Sequence, residues 1–294
     1  MSANQPTYDA LAPLYDIAFS WDVREEVDWL ITRLGEGARR LLEPACGSGR
    51  MFPAFAERGV GIVGIERSTA MIQRARQRMA AQGLPEPRIC QGDMQSSSLG
   101  EVFDGAVCPI NSLGYLLDPD ALRDHLAAVA RHLKPKAAYL VQLDLMDTRV
   151  TVEYARDDCN QWDVEWRDKC LRTTWSALRF DATTGLQVEE CRFEVCASAA
   201  RSAGGTETAA PFAWKLPDDS WCADDFTRLN VGDVFADRHV LRKWNWEQWS
   251  AFIERSPFRL VAAYDGEADR RSLPMDEGVQ DANLTWHELV SDNA

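Results

Sequence analysis

The stretch LLEPACGSGR, Leu41 to Arg50, holds the densest chemistry in the chain: an acid, Glu43, then two glycines one residue apart, Gly47 and Gly49. Closely spaced glycines let a backbone turn approach a ligand. A dinucleotide turn reads G-x-G-x-x-G/A, its third small residue allowing a helix to pack on the strand while the helix N-terminus faces a pyrophosphate. Here Phe52 stands at that third position, too large for such packing. Glu43 also disfavours a phosphate and suits a ligand that carries an ammonium group. Further acids and amides close later apolar runs: Glu66, Asp93 and Asn111.

These positions need strands and helices in alternation, and the sequence supplies them. ARRLLEP reads as a short buried strand, followed by a helix over about 50–58 that stops at Gly59. Val60–Glu66 reads as a second strand. Ser68 caps a helix in which Met71, Ile72, Ala75 and Met79 recur at helical spacing, and Gly83 ends it. RICQGD and VFDGAVCPI give two more strands. The clearest helix begins at the cap Asp118, carries Pro119 at its first position, shows Leu122, Leu126, Val129 and Leu133 on one face, and stops at Pro135. AAYLVQLDL is the fifth strand. Such alternation implies a parallel sheet covered by helices, with ligands outside the carboxyl ends of the strands. The acids named above fall at those ends.

After about residue 148 the pattern changes. CLRTTWSALRF and LQVEECRFEVC flank DATTG as an antiparallel hairpin, with Cys191, Phe193 and Val195 alternating against charged neighbours. Residues 198–210 are small and polar and read as a mobile loop. Trp162, Trp166, Trp175, Trp214 and Trp221 cluster in this region. Asn245 with Gln248 suggests a capping box, and FRLVAAY and LTWHEL supply two last strands. The expected fold class is therefore α/β: a doubly wound, seven-stranded, mostly parallel sheet with a β-rich insertion after the fifth strand. Residues 1–148 and 235–294 form the main domain and 149–234 the insertion.

Composition narrows the partners. The net charge of -14 opposes binding to a phosphate backbone, so nucleic acid is not expected. No apolar run is long enough for a secretory signal or a membrane span, and a cytoplasmic protein without a membrane partner is expected. The eight cysteines form no CxxC pair and the four histidines show no metal spacing, so no metal is expected. Whether the chain is a monomer or a homodimer is not readable.

LLEPACGSGR resembles the first motif of the class I, Rossmann-like S-adenosylmethionine-dependent methyltransferases, in the branch that acts on small molecules. VGIE, QGDM, FDGAVCPINSLGYL and HLKPKAAYLVQLDL resemble the later motifs in order, and YDALAPLYD resembles an N-terminal cover segment. The resemblance covers about residues 8–148 and, more loosely, 240–290. It implies S-adenosylmethionine as cofactor and S-adenosylhomocysteine as product. Glu66 would take the ribose hydroxyls, Asp93 the adenine amino group, and Met94 the ring. Tyr15, Glu43, Ala45, Gly47, Gly49, Arg50, Arg67, Met71 and Asn111 complete the implied cofactor site. The chain departs from the family at PKAAY, where glycines are usual, and its PINS differs from the D/N-P-P-Y of enzymes acting on DNA bases.

Methyl transfer from a sulfonium needs alignment and exclusion of water, and a base only where the nucleophile must lose a proton. Tyr115 and His239 are the candidate catalytic residues. His239 is the best base by type and equally a core strand histidine. Tyr8, Asp144, Arg149, Trp162 and Arg238 are the candidate substrate contacts, an arginine serving to clamp a carboxylate and a tryptophan to stack on a planar or cationic group. The acceptor atom is not readable. A protein methyltransferase, an NAD-dependent oxidoreductase and a catalytically silent S-adenosylmethionine-binding protein are the rival readings. Phe52 and Glu43 oppose the oxidoreductase.

Overall fold

The computed structural model describes residues 6–35, 37–146, 159–198, 212–266, 270–275 and 284–292. A single-turn helix at Pro6–Tyr8 leads into α1 (Ala12–Ala18) and α2 (Arg24–Leu34). Then come β1 (Arg40–Pro44), α3 (Phe52–Glu57), β2 (Gly61–Glu66), α4 (Thr69–Ala81), β3 (Arg88–Gln91) and β4 (Phe103–Cys108). A short turn at Ser112–Tyr115 precedes α5 (Pro119–Arg131) and β5 (Leu133–Leu143). The middle of the chain gives β6 (Cys159–Trp166), β7 (Lys169–Asp181), β8 (Leu186–Ala197), β9 (Phe212–Lys215), α6 (Ala223–Thr227) and β10 (Val234–Arg242). Last are α7 (Trp246–Ile253), β11 (Phe258–Tyr264), β12 (Ser272–Leu273) and β13 (Thr285–Ser291).

The expected caps form. Ser68 accepts from the Met71 amide at 3.2 Å, and Asp118 accepts from that of Asp120 at 2.8 Å. Asn245 and Gln248 make a reciprocal capping box at the start of α7. Two boundaries move. α3 starts at Phe52, because Arg50 and Met51 belong to the preceding turn. α5 ends at Arg131 and β5 starts before Pro135; its pairing with β4 breaks after Phe103–Leu133 and resumes at Gly105–Ala138, which lets the proline pass.

The main sheet has the order β12-β11-β13-β5-β4-β1-β2-β3. β5, β4, β1, β2 and β3 run parallel and β13 antiparallel to β5. Seven of its strands are those expected; the eighth, β12, is a two-residue edge. The strand order reverses beside β1, so its carboxyl end opens onto the crevice where such sheets bind ligands. Phe52, too large for a dinucleotide turn, finds room because β2 carries Gly64. A Cβ there would meet Cys46 Sγ at 2.4 Å and the Phe52 ring at 3.1 Å.

The insertion is a second sheet, β10-β8-β7-β6-β9. β10 stays hydrogen-bonded to β8 from Val234 to Arg242, so this sheet runs past residue 234, where the insertion was expected to end. Its inner face buries Val164, Leu171, Cys191, Phe193 and Val195 against Leu14, Ile17, Ala18 and Phe19 of the N-terminal segment. The N-terminal segment thus fills the insertion's core. The loop expected to be mobile falls, beyond Ser198, outside the described residues. Among the described residues no helix is long and apolar enough to cross a membrane, and no group of three His, Cys, Asp or Glu side chains is placed to hold a metal.

Candidate active site

β1 delivers Glu43 to the sheet edge, where only 3% of it is exposed and its Oε2 has no hydrogen-bond partner. Burial raises its pKa to about 8, against the pull of Arg50. The Arg50 guanidinium stacks over the Trp21 ring at 4.6 Å and lies 3.5 Å from Glu26, with its Nη1 also unpartnered. A buried carboxylate and a buried guanidinium, each with an unsatisfied atom, match the ammonium and carboxylate of an amino acid. The turn between them takes positive φ at Ala45, Gly47 and Gly49 (54°, 54° and 63°).

Glu66 ends β2. Its carboxylate accepts from the amides of Gly47 (2.9 Å), Arg67 (2.7 Å) and Ser68 (2.7 Å). Burial raises its pKa and these bonds oppose the rise. Two carboxylate oxygens have about four acceptor positions, so with three filled Oε2 can still accept one hydroxyl. Beyond β3, Asp93 bonds the Gln95 amide at 2.9 Å and lies 3.9 Å from Arg67. The Met94 carbonyl is held by His125 Nδ1 at 2.9 Å, which fixes the turn under its side chain. Ile110 and Asn111 are both left-handed (φ 53° and 52°), and Asn111 Oδ1 accepts from the Asp144 amide at 3.2 Å.

Across the crevice, side chains form a chain of hydrogen bonds. Thr7 Oγ1 donates to Asp237 at 2.8 Å, so it must accept from His239 Nε2 at 3.2 Å. His239 therefore carries its proton on Nε2 and presents the Nδ1 lone pair to the Tyr115 hydroxyl at 3.0 Å. Tyr115 then accepts from the Tyr8 hydroxyl at 2.6 Å. Burial lowers the pKa of His239, while Asp237 and Glu189 pull it up. Burial holds both tyrosines well above their ordinary range, so they act as neutral hydroxyls. The Trp175 ring stacks on His239 at 4.9 Å and its indole N–H donates to Glu189. Glu189 also pairs with Lys243 at 2.8 Å, and Lys243 pairs with Asp144. Burial opposes the charge on Lys243, yet the two carboxylates hold its pKa above the ordinary lysine value.

Residues 41–136 match the family model described as a methyltransferase domain. Over this third of its length the chain is similar to that family. It is 34% identical over 105 residues to dTDP-3-amino-3,4,6-trideoxy-alpha-D-glucopyranose N,N-dimethyltransferase of Streptomyces venezuelae, across 36% of this chain and 42% of that protein. The chain thus spans less than half the length of this curated relative. A crystal structure of an S-adenosylmethionine-dependent methyltransferase from Clostridium acetobutylicum superposes with a TM-score of 0.66 at 16% identity, over 97% of this chain and 98% of that one. An amino pentose methyltransferase from Micromonospora echinaspora superposes with a TM-score of 0.64 at 18% identity, over 96% of both chains. At these identities the likeness is one of fold.

The main sheet brings Glu43, Ala45, Gly47, Gly49, Arg50 and Glu66 to one edge, with Tyr15 beside Tyr8 (ring centroids 5.5 Å apart). Met71 is wholly buried in the first turn of α4. Tyr8, Tyr115 and His239 meet in one network, and Asp144 is already paired with Lys243. Arg238 is a correction. It neighbours His239 on a strand whose side chains alternate, so it points to the opposite face and pairs with exposed geometry to Glu190 at 3.3 Å. Trp162 is a second correction: its indole N–H is taken by the Ala18 carbonyl at 2.7 Å and its ring packs on Phe19. Arg149 lies outside the described residues. Of the other tryptophans, Trp166 stacks on Phe226, Trp214 bonds Ser20, and Trp221 lies under Arg74 and Arg78. Only Trp175 among the five touches His239. Thr7, Asp237, Glu189 and Lys243 escape the sequence reading; the alternation of Asp237, His239 and Leu241 along β10 is the one local signal for any of them.

Proposed function

We infer that the chain transfers a methyl group from S-adenosylmethionine to the amine of a small molecule. The observation that carries this reading is the placing of Glu43 and Arg50: a buried carboxyl group, able to ionise beside an incoming ammonium, and a guanidinium, each with an unsatisfied atom beside a tight glycine turn. They fit the zwitterionic end of the cofactor, and Glu66 fits its ribose. The bound cofactor supplies a methyl group activated on a sulfonium. The sugar N,N-dimethyltransferase among the relatives supports an amine as acceptor.

An amine that arrives as ammonium has no lone pair to attack with, and must first lose a proton. The Tyr8–Tyr115–His239 chain supplies the acceptor for it: each hydroxyl passes one proton on as it receives another, and the proton comes to rest on His239 Nδ1. Asp237 Oδ2, 3.6 Å from Nε2, and Glu189 then stabilise the imidazolium. Tyr8 and Tyr15 with the N-terminal segment exclude water from the crevice.

Calorimetric titration with S-adenosylhomocysteine, with NAD(H) as control, tests the base of this reading. Micromolar binding of the first alone is expected, weakened about a hundredfold in Glu66→Ala, as for loss of a charge-assisted hydrogen bond to a buried carboxylate. Binding of NAD(H) instead, or of neither by folded protein, overturns it.

A further inference from the structure

In the pairing of β8 with β10, the buried carboxylate of Glu189 stands opposite His239. Both of its oxygens are held. Oε2 accepts from the indole N–H of Trp175, the ring that stacks on His239. Oε1 accepts from the Gln187 side-chain amide at 2.9 Å and pairs with Lys243 at 2.8 Å. Lys243 is itself buried. It follows the last residue of β10, where its backbone amide donates to the Gly185 carbonyl at 2.9 Å, and its ammonium also reaches Asp144. Asp144 follows the last residue of β5, and its amide donates to Asn111 Oδ1. One cation thus spans the two sheets, with a carboxylate from each at its tip.

The charges that face the His239 ring are few. On its own strand, Asp237 Oδ2 lies 3.6 Å from Nε2, and across the pairing stands Glu189. Cys191, the next inward residue of β8, is kept neutral by burial, as are Tyr8 and Tyr115. Arg238 and Glu190 occupy the opposite face. Two unshielded carboxylates would make the imidazole take a proton from solvent and keep it. A histidine already charged cannot receive one from an amine. We propose that Lys243 is a positioning residue for the relay: paired with Glu189, it shields His239 from that carboxylate, so that the imidazole rests neutral and charges only when a proton arrives through Tyr115. This role rests on the methyl-transfer reading; the charge balance does not. The two carboxylates keep Lys243 charged against the cost of burial. The indole and amide donors in turn favour the ionised form of Glu189.

The His239 imidazole is followed by NMR through a pH titration of the full chain labelled at histidine. The sequence has four histidines, and His239→Gln identifies the signal. In Lys243→Met the ring is expected to bind its proton about tenfold more tightly and so to titrate at higher pH than in the wild type. Glu189→Gln is expected to move it the other way. The double variant, Lys243→Met with Glu189→Gln, should return it toward the wild type, and Lys243→Arg, which keeps the charge, should stay close to it. Lost packing alone does not move one titration in two opposite directions. Breaking a buried pair costs stability; where Lys243→Met does not fold, Glu189→Gln and the double variant carry the test. An imidazole that titrates at the same or lower pH in Lys243→Met, or at the same or higher pH in Glu189→Gln, overturns the proposal. Each variant is also titrated calorimetrically with S-adenosylhomocysteine. The expected shifts in a chain that does not bind it uphold the shielding of His239 by Lys243 and remove the methyl-transfer reading. Binding with an unmoved imidazole removes the role of Lys243 alone.

Discussion

The glycine-turn edge takes Glu43, Gly47, Gly49, Arg50 and Glu66 from one short span of chain, whereas the facing network takes Thr7, Tyr115, Asp237 and His239 from segments up to 232 residues apart. At the edge, backbone does the positioning: strand ends place the acids and amides clamp Glu66. In the network, side chains position one another, each hydroxyl or ring nitrogen set by its neighbour's direction of donation. A backbone-built site tolerates change around it; a side-chain relay fails at any one link. The two regions also differ in charge. The edge keeps an acid raised by burial, the network a histidine lowered by it.

The largest expected effect falls on the network alone. His239→Gln should lower kcat by about 100- to 10,000-fold, the range for general acid–base catalysis, with S-adenosylhomocysteine affinity unchanged. In the wild type the acid limb of kcat should lie below the ordinary histidine value, since His239 must be neutral to accept a proton. A kcat within threefold of wild type would sink the relay. Next comes Asp16, which joins the regions: wholly buried, it pairs with Arg74 and Arg78, and Arg74 also reaches Asp225 of α6 at 2.8 Å. Asp16→Ala leaves buried guanidiniums short of their partner and should cost about 3–5 kcal/mol, read by denaturant unfolding. A loss under 1 kcal/mol would mean the regions are joined by apolar packing only.

Smaller and sharper is the proton count at the edge. With a pKa of about 8, Glu43 is mostly protonated at neutral pH. An incoming ammonium favours its ionised form, so S-adenosylhomocysteine binding should release a fraction of a proton near pH 7 and tighten as pH rises toward 8. Titrations in buffers of different ionisation heat measure this, and Glu43→Gln should abolish it. Last, Arg238→Ala should leave kcat and KM within about twofold, because the residue faces away from the network and its exposed pair with Glu190 is worth little.

Legibility follows the same division. Glu43, the glycines and Glu66 are readable because a strand end and a turn are local events, and the caps at Ser68, Asp118 and Asn245 follow from three or four residues each. The boundary at residue 234 misleads because β10 looks like any strand; only its pairing with β8 assigns it to the second sheet. Trp162 and Arg238 are chosen by residue type, and type does not say which face of a strand a side chain occupies. Thr7 and Asp237 are invisible because their partners lie at the other end of the sequence. The surplus of tryptophan does signal cation–π contact, but at Trp221 the cations are the protein's own Arg74 and Arg78.

The N-terminal segment has one more consequence, in the order of biosynthesis. α1 emerges from the ribosome well before the second sheet, yet Leu14, Ile17 and Phe19 find their partners in β6, β7, β8 and α6, and the Ala18 carbonyl waits for an indole 144 residues later. Such distant closure is slow. During translation the parallel strands from β1 to β5 are complete while this apolar stripe is still uncovered and available to chaperones or to other nascent chains. The segment that closes the crevice is therefore made before the strands of the main sheet and seated after them.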